Sequence, residues 1–135
     1  MNATGKCLCG AVTFVANGVT PELHICHCSM CRKWGGGPLM SVGAEGVAFR
    51  GEENVQRYES SAWAERGFCK RCGSSLFYRL KEGDSYFLGM GTLDDQSPFK
   101  LTSEIYVDEK PPGYDFVGSH PRLTAEEFLA SLTKK

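Results

Sequence analysis

The sequence predicts a mainly β fold of packed antiparallel sheets with one helix near the C-terminus. Three observations carry this prediction. Short runs of four to seven residues, rich in β-branched and aromatic types, recur between turn residues along the whole chain. The 16 glycines favour a turn-rich chain. Only one stretch, residues 123–132, shows the periodicity of an amphipathic helix. No repeat, low-complexity tract or linker interrupts the 135 residues, so they read as a single domain, 1–135. A chain of that length buries roughly two-thirds of its surface on folding, enough for a sizeable core.

The expected strands run in order. AVTFV (11–15) alternates after Gly10, and ELHIC (22–26) sets Leu23 and Ile25 against His24. LMSVG (39–43), GVAFRG (46–51), VQRYES (55–60) and AWAERGF (62–68) follow. SLFYRL (75–80), SYFLGMG (85–91) and EIYVD (104–108) complete the set. Many short strands at close spacing imply two packed antiparallel sheets. In LTAEEFLASL (123–132), Thr124 and Glu127 form a capping box, and Leu123, Phe128, Leu129 and Leu132 make an apolar stripe that packs over one sheet.

Charge and hydropathy exclude several function classes. The net charge is -1, which gives no general attraction to nucleic acid or an anionic membrane. No apolar run approaches the ~18 residues that span a bilayer. The start, MNATGKCLCGAVTF, lacks the basic, apolar and cleavage-site regions of a signal peptide. A cytoplasmic protein is expected, and in a reducing compartment its seven cysteines read as metal ligands or reactive thiols.

These cysteines fall into three groups: Cys7 and Cys9 as C-x-C, Cys26, Cys28 and Cys31 as C-x-C-x-x-C, and Cys69 and Cys72 as C-x-x-C followed by Gly73. Cys-x-x-Cys-Gly is a zinc-knuckle pattern whose tight turn brings two thiolates to one metal. The knuckle needs a second pair. Cys7 and Cys9 complete a four-thiolate site and leave three central cysteines together. The alternative closes the knuckle with two central cysteines and strands Cys7 and Cys9. The first partition uses every cysteine and staples the N-terminal strand to the middle of the chain, as a structural zinc does.

The central cluster then has three ligands. His24 shares an extended face with Cys26 and remains a candidate fourth, whereas His27, between two cysteines, points the other way. Otherwise the fourth partner comes from outside the protein, since three protein ligands and an open position are the pattern of catalytic zinc. An all-thiolate site suits a soft fourth ligand, such as a substrate thiolate.

Taken together, GKCLCGAVTF, CHCSMCRKWGG and RGFCKRCGSSLFYR resemble the glutathione-dependent formaldehyde-activating enzyme family in motif order and spacing across residues 5–80. The resemblance implies a zinc-stapled β-tent. It implies a structural zinc on Cys7, Cys9, Cys69 and Cys72 and a second, more labile zinc on Cys26, Cys28 and Cys31. The activity it implies joins glutathione to formaldehyde, formally a carbon–sulfur lyase run backwards. The thiol and aldehyde would be small-molecule partners, glutathione serving as co-substrate. One departure is visible: relatives often have His where this chain has Glu104.

Arg32 and Lys33 follow the central cluster and are candidates for the glutathione carboxylates. Lys70 and Arg71 read as charge compensation in the knuckle, His120 as a loop residue, and Asp94 with Asp95 as turn chemistry. The competing class is a non-catalytic zinc-stabilised module that recognises a protein partner. It predicts metal sites indifferent to added thiols, where the enzyme predicts one that responds.

Overall fold

The computed structural model describes residues 1–132. In chain order its elements are β1 (Ala3–Lys6), β2 (Thr13–Asn17), β3 (Glu22–Cys26), α1 (Ser29–Gly35), β4 (Leu39–Ala44), β5 (Gly46–Arg50), β6 (Val55–Tyr58), β7 (Ala64–Cys69), β8 (Ser75–Leu80), β9 (Ser85–Gly89), β10 (Lys100–Ile105), β11 (Arg122–Leu123) and α2 (Ala125–Leu132). The protein is mainly β, as its pattern predicts. No helix among the described residues is long and apolar enough to cross a membrane. Contacts group the chain into two compact units, Met1–Glu22 with Ser41–Phe99, and Leu23–Met40 with the residues from Lys100 onward.

The first unit holds two layers of strands. β1, β2 and β5 form a three-stranded antiparallel sheet. β4, β9, β8, β7 and β6 follow one another as antiparallel neighbours. Alternation works as expected in β2, where Phe14 and Ala16 are buried and Val15 faces water. Phe14 meets Phe49 within the small sheet, and Phe49 meets Phe77 and Tyr86 of the larger one. The Phe49 and Phe77 ring centroids are 5.4 Å apart, and Phe77 meets Tyr86 edge-on at 5.3 Å. Gly67, paired with Phe77 across β7 and β8, leaves room for this cluster, since a Cβ there would lie 2.1 Å from the tip of the Phe77 ring. The Arg57 guanidinium lies 5.0 Å from the Phe77 centroid and bonds Glu65 at 2.8 Å. Arg79 reaches the same carboxylate at 2.9 Å. Burial works to raise the Glu65 pKa, but the two guanidinium groups outweigh it and hold the carboxyl below the usual range.

The second unit contains β3, β10 and β11 as adjacent strands with both helices. β11 runs parallel to β10, pairing Arg122 with Glu104. The expected strand at 104–108 ends at Ile105, because Tyr106 takes a left-handed φ of 57° and turns the chain into a 3-10 turn over Val107–Glu109. α2 starts with the expected capping box: the Thr124 hydroxyl accepts from the Glu127 amide at 3.1 Å and Glu127 accepts from the Thr124 amide at 2.9 Å. Its stripe is only partly used. Phe128 packs on Tyr106 with centroids 6.0 Å apart, Leu123 belongs to β11, and Leu129 and Leu132 stay exposed. A two-residue strand and one turn offer the helix too little surface to cover more.

α1 was not legible as a helix. The Cys28 sulfur caps it by accepting from the Cys31 amide at 3.4 Å, and it ends at Gly36, whose amide donates to the Arg32 carbonyl at 2.8 Å. Seven residues with a thiol cap carry neither the length nor the cap residue by which helices are recognised in sequence.

Candidate metal centres

Two cysteine clusters form, each inside one unit. In the first unit, the turn between β1 and β2 presents Cys7 and Cys9, and the end of β7 with the turn after it presents Cys69 and Cys72. The sulfurs of all four lie within 4.8 Å of one another. Cys7 and Cys9 are 3.7 Å apart, and Cys9 and Cys69 are 3.8 Å apart. Four thiolates around a tetrahedral zinc at ~2.3 Å would stand about 3.8 Å from each other, so the donor set and its spacing fit that ion.

The backbone explains why the cage forms. In the knuckle, the Gly73 amide donates to the Cys69 carbonyl at 2.7 Å and the Cys69 amide to the Ser74 carbonyl at 2.9 Å. Gly73 has a φ of 80°, where a side chain would be strained. Ser74 links the two turns, because its hydroxyl accepts from the Leu8 amide at 3.0 Å and meets the Cys72 sulfur at 3.2 Å. That hydroxyl pulls the Cys72 thiol down to about 5. Cys7 is lowered as well: burial opposes ionisation, but the Val12 amide at 3.3 Å and the Cys9 and Cys69 thiols stabilise its thiolate. Lys70 and Arg71 point into solvent.

In the second unit, Cys26 ends β3, Cys28 caps α1 and Cys31 lies in its first turn. Their sulfurs also lie within 4.8 Å of one another. Cys28 is held well below the usual thiol range, first by hydrogen bonds from Cys26 and Cys31, while Cys26 is pushed up by the same sharing with Cys28. No fourth His, Cys, Asp or Glu joins this group among the described residues. His24 turns to Ser103 instead, with Nδ1 2.7 Å from the hydroxyl. Arg32 spends its Nε on the His27 carbonyl at 2.9 Å, and Lys33 is exposed.

His27, between two cluster cysteines, is fully buried. Its Nε2 lies 2.7 Å from Glu104 Oε1, and its Nδ1 lies 3.0 Å from the Tyr114 hydroxyl. The second Glu104 oxygen meets His120 Nε2 and, at 3.1 Å, Arg122 Nε. Glu104 is buried too. Burial works to raise its pKa, but hydrogen bonds from His120 and His27 outweigh that and hold the carboxyl below its ordinary range. His120 sits in a loop as expected, yet its side chain is almost wholly covered. Sequence reasoning missed this network. Its one signal was an acidic residue, Glu104, within a strand pattern. The partners at 114, 120 and 122 are brought in by tertiary contact, which local periodicity does not register.

A model of the glutathione-dependent formaldehyde-activating enzyme family matches residues 2–109. An uncharacterised lyase of Schizosaccharomyces pombe is 33% identical over 132 residues, spanning 96% of both chains. A Halomonas elongata protein, provisionally named a glutathione-dependent formaldehyde-activating enzyme, is 35% identical over 83 residues, which is 54% of this chain and 53% of that one. In fold, the chain is similar to a crystal structure of a Rhodobacter sphaeroides protein, with a TM-score of 0.59 and 23% identity over 88% of this chain and 98% of that one.

Proposed function

Because this chain belongs to the glutathione-dependent formaldehyde-activating enzyme family and is an enzyme of the carbon–sulfur lyase type, we propose that it condenses glutathione, or a similar thiol, with formaldehyde or another small aldehyde. It acts as one domain, 1–135, in the cytoplasm on small molecules, without a nucleic-acid or membrane partner. The observation that carries the reading is the three-cysteine cluster, which offers thiol ligands and, among the described residues, no fourth.

In this reading Cys7, Cys9, Cys69 and Cys72 hold a structural zinc, and Cys26, Cys28 and Cys31 hold a second, labile one. Three thiolates leave the second ion an open position, where it would lower a substrate thiol's pKa and keep the sulfur nucleophilic. The chain's own residues do the rest. Cys28 caps α1 and so fixes the sulfur positions against the helix. Lys33, with whatever of the Arg32 guanidinium its bond to His27 leaves available, offers positive charge to the carboxylates of glutathione. In the condensation a carbon–sulfur bond forms, the carbonyl π pair moves onto oxygen, and the thiol proton ends on that oxygen. Nothing is oxidised or reduced. Holding both reactants in one place supplies much of the acceleration.

The test is metal analysis with and without glutathione, followed by cobalt substitution. One tight metal and one that responds to glutathione, with a changed thiolate-to-cobalt absorption, is expected. Two metals indifferent to millimolar glutathione would overturn the assignment and favour a binding module.

A further inference from the structure

Every polar atom of His27 is engaged. Its amide donates to the Ile105 carbonyl at 3.1 Å, and its carbonyl accepts from Arg32 Nε at 2.9 Å. Its ring meets Glu104 at 2.7 Å and Tyr114 at 3.0 Å. Aromatic rings also pack against it: Tyr114 stacks at a centroid distance of 5.6 Å and an interplanar angle of 30°, and Phe116 lies 6.0 Å from both His27 and Tyr114. One ring nitrogen is thus committed to the carboxylate and the other to the phenol. No ring nitrogen is left to bind a metal or a substrate.

A residue pinned at four points is more than the fold alone requires. Replacing a buried ionic cluster by apolar residues of equal volume is often neutral or stabilising. What the network does supply is orientation. Side chains alternate along an extended segment, so fixing the His27 ring on one side of the chain fixes the Cys26 and Cys28 side chains on the other.

We propose that Glu104 is a positioning residue for the three-cysteine cluster: through His27 it sets the directions of the Cys26 and Cys28 sulfurs, His120 and Arg122 hold Glu104 in place, and Tyr114 holds the other nitrogen of the His27 ring. This rests on the reading that the cluster binds a metal. The three supporting residues lie beyond the family-matched span, 2–109, so the clamp is furnished by a segment outside the part the family model describes. Glu104 touches no substrate in this account. It acts as outer-shell partners do, by ordering the groups that bind.

The experiment compares Glu104→Gln and Tyr114→Phe with the wild type, and uses Glu65→Gln as a control for losing a carboxylate from an arginine-paired network in the other unit. Second-site metal affinity is read by chelator competition, and ligand geometry by the visible bands of the cobalt form. Glu104→Gln and Tyr114→Phe should weaken second-site affinity roughly 10–100-fold and broaden or shift the cobalt bands, with the four-cysteine metal retained. Glu65→Gln should lower thermal stability and leave both readouts unchanged. If Glu104→Gln does not fold, Tyr114→Phe, which removes one hydroxyl, decides. Folded variants with wild-type affinity and spectrum would overturn the proposal while leaving the functional reading intact. A folded wild type that binds only one metal would sink the functional reading, and this proposal with it.

Discussion

Cys9 and Cys69 are sixty positions apart in sequence, yet their sulfurs stand 3.8 Å from each other. Closing a loop that long costs chain entropy. Something must offset that cost, and the strand pairing of each turn's parent sheet does only part of it. The four-cysteine cage is therefore expected to couple metal to folding, whereas the three-cysteine cluster spans six residues and closes almost no loop.

Cys72→Ser and Cys28→Ser should consequently behave differently. Structural zinc in small fingers contributes on the order of 10 kcal/mol, against about 5–15 kcal/mol of net stability for a domain. Cys72→Ser should leave the chain unfolded or insoluble. Cys28→Ser should stay folded, carry one metal fewer and lose thiol-dependent activity. Zinc content and thermal melting of the two proteins check this. Equal zinc, or equal unfolding, would show that the two clusters are wrongly assigned.

The acid limb of stability should depend on Glu65. Its folded pKa is depressed by Arg57 and Arg79 against the opposing effect of burial. Below an ordinary glutamate pKa near 4.3, the unfolded chain takes up a proton at this position before the folded chain does. Stability from this group is thus full above that pH and is lost as pH falls toward the folded value. Glu65→Gln should melt lower than wild type at neutral pH and lose less on acidification. Parallel melting curves from pH 6 to pH 3 would contradict this.

Gly67→Ala should destabilise the first unit by about 1–3 kcal/mol, the usual cost of overpacking. The added methyl would collide with the Phe77 ring, which is 1% exposed and packed against both Phe49 and Tyr86, so it has little room to move. Denaturant midpoints measure the loss. In a Phe77→Leu background the same substitution should cost less, and an unchanged cost would exclude the ring as the cause.

Thr124→Ala should cost about 1 kcal/mol by removing one arm of the capping box. The effect should be local, raising amide exchange over α2 without altering metal content. Unchanged protection in α2 would mean that the helix is held by Phe128 on Tyr106 and not by its cap.

Much of this architecture was legible in the sequence because two-residue periodicity is a local property. β3 and β8 fall on the expected residues 22–26 and 75–80. The cysteine groups were legible because spacing alone separates them. β1 was not, since ATGK contains a glycine and a lysine and becomes a strand only by pairing with β2. β11 has two residues, too few for any period. Arg32 reads as a free cation in sequence, but its Nε is committed to the His27 carbonyl. That contact is only five residues long, but it depends on the short helix α1, whereas the partners of Glu104 are set by tertiary contact.

The chain order of the clamp bears on how the protein is made. All three central cysteines have been synthesised by residue 31, while Cys72, Glu104, Tyr114 and Arg122 are still unmade. At roughly 5–20 residues per second, the nascent chain displays those thiols for several seconds before their scaffold exists. Five cysteines, Cys7 to Cys31, then share one unfolded segment. An early ion can be captured by a mixed set of thiols, and sorting into the two native groups must wait for the knuckle and, last of all, for Glu104 and its partners. The native partition of the seven cysteines is thus complete only after the last of these residues has been made.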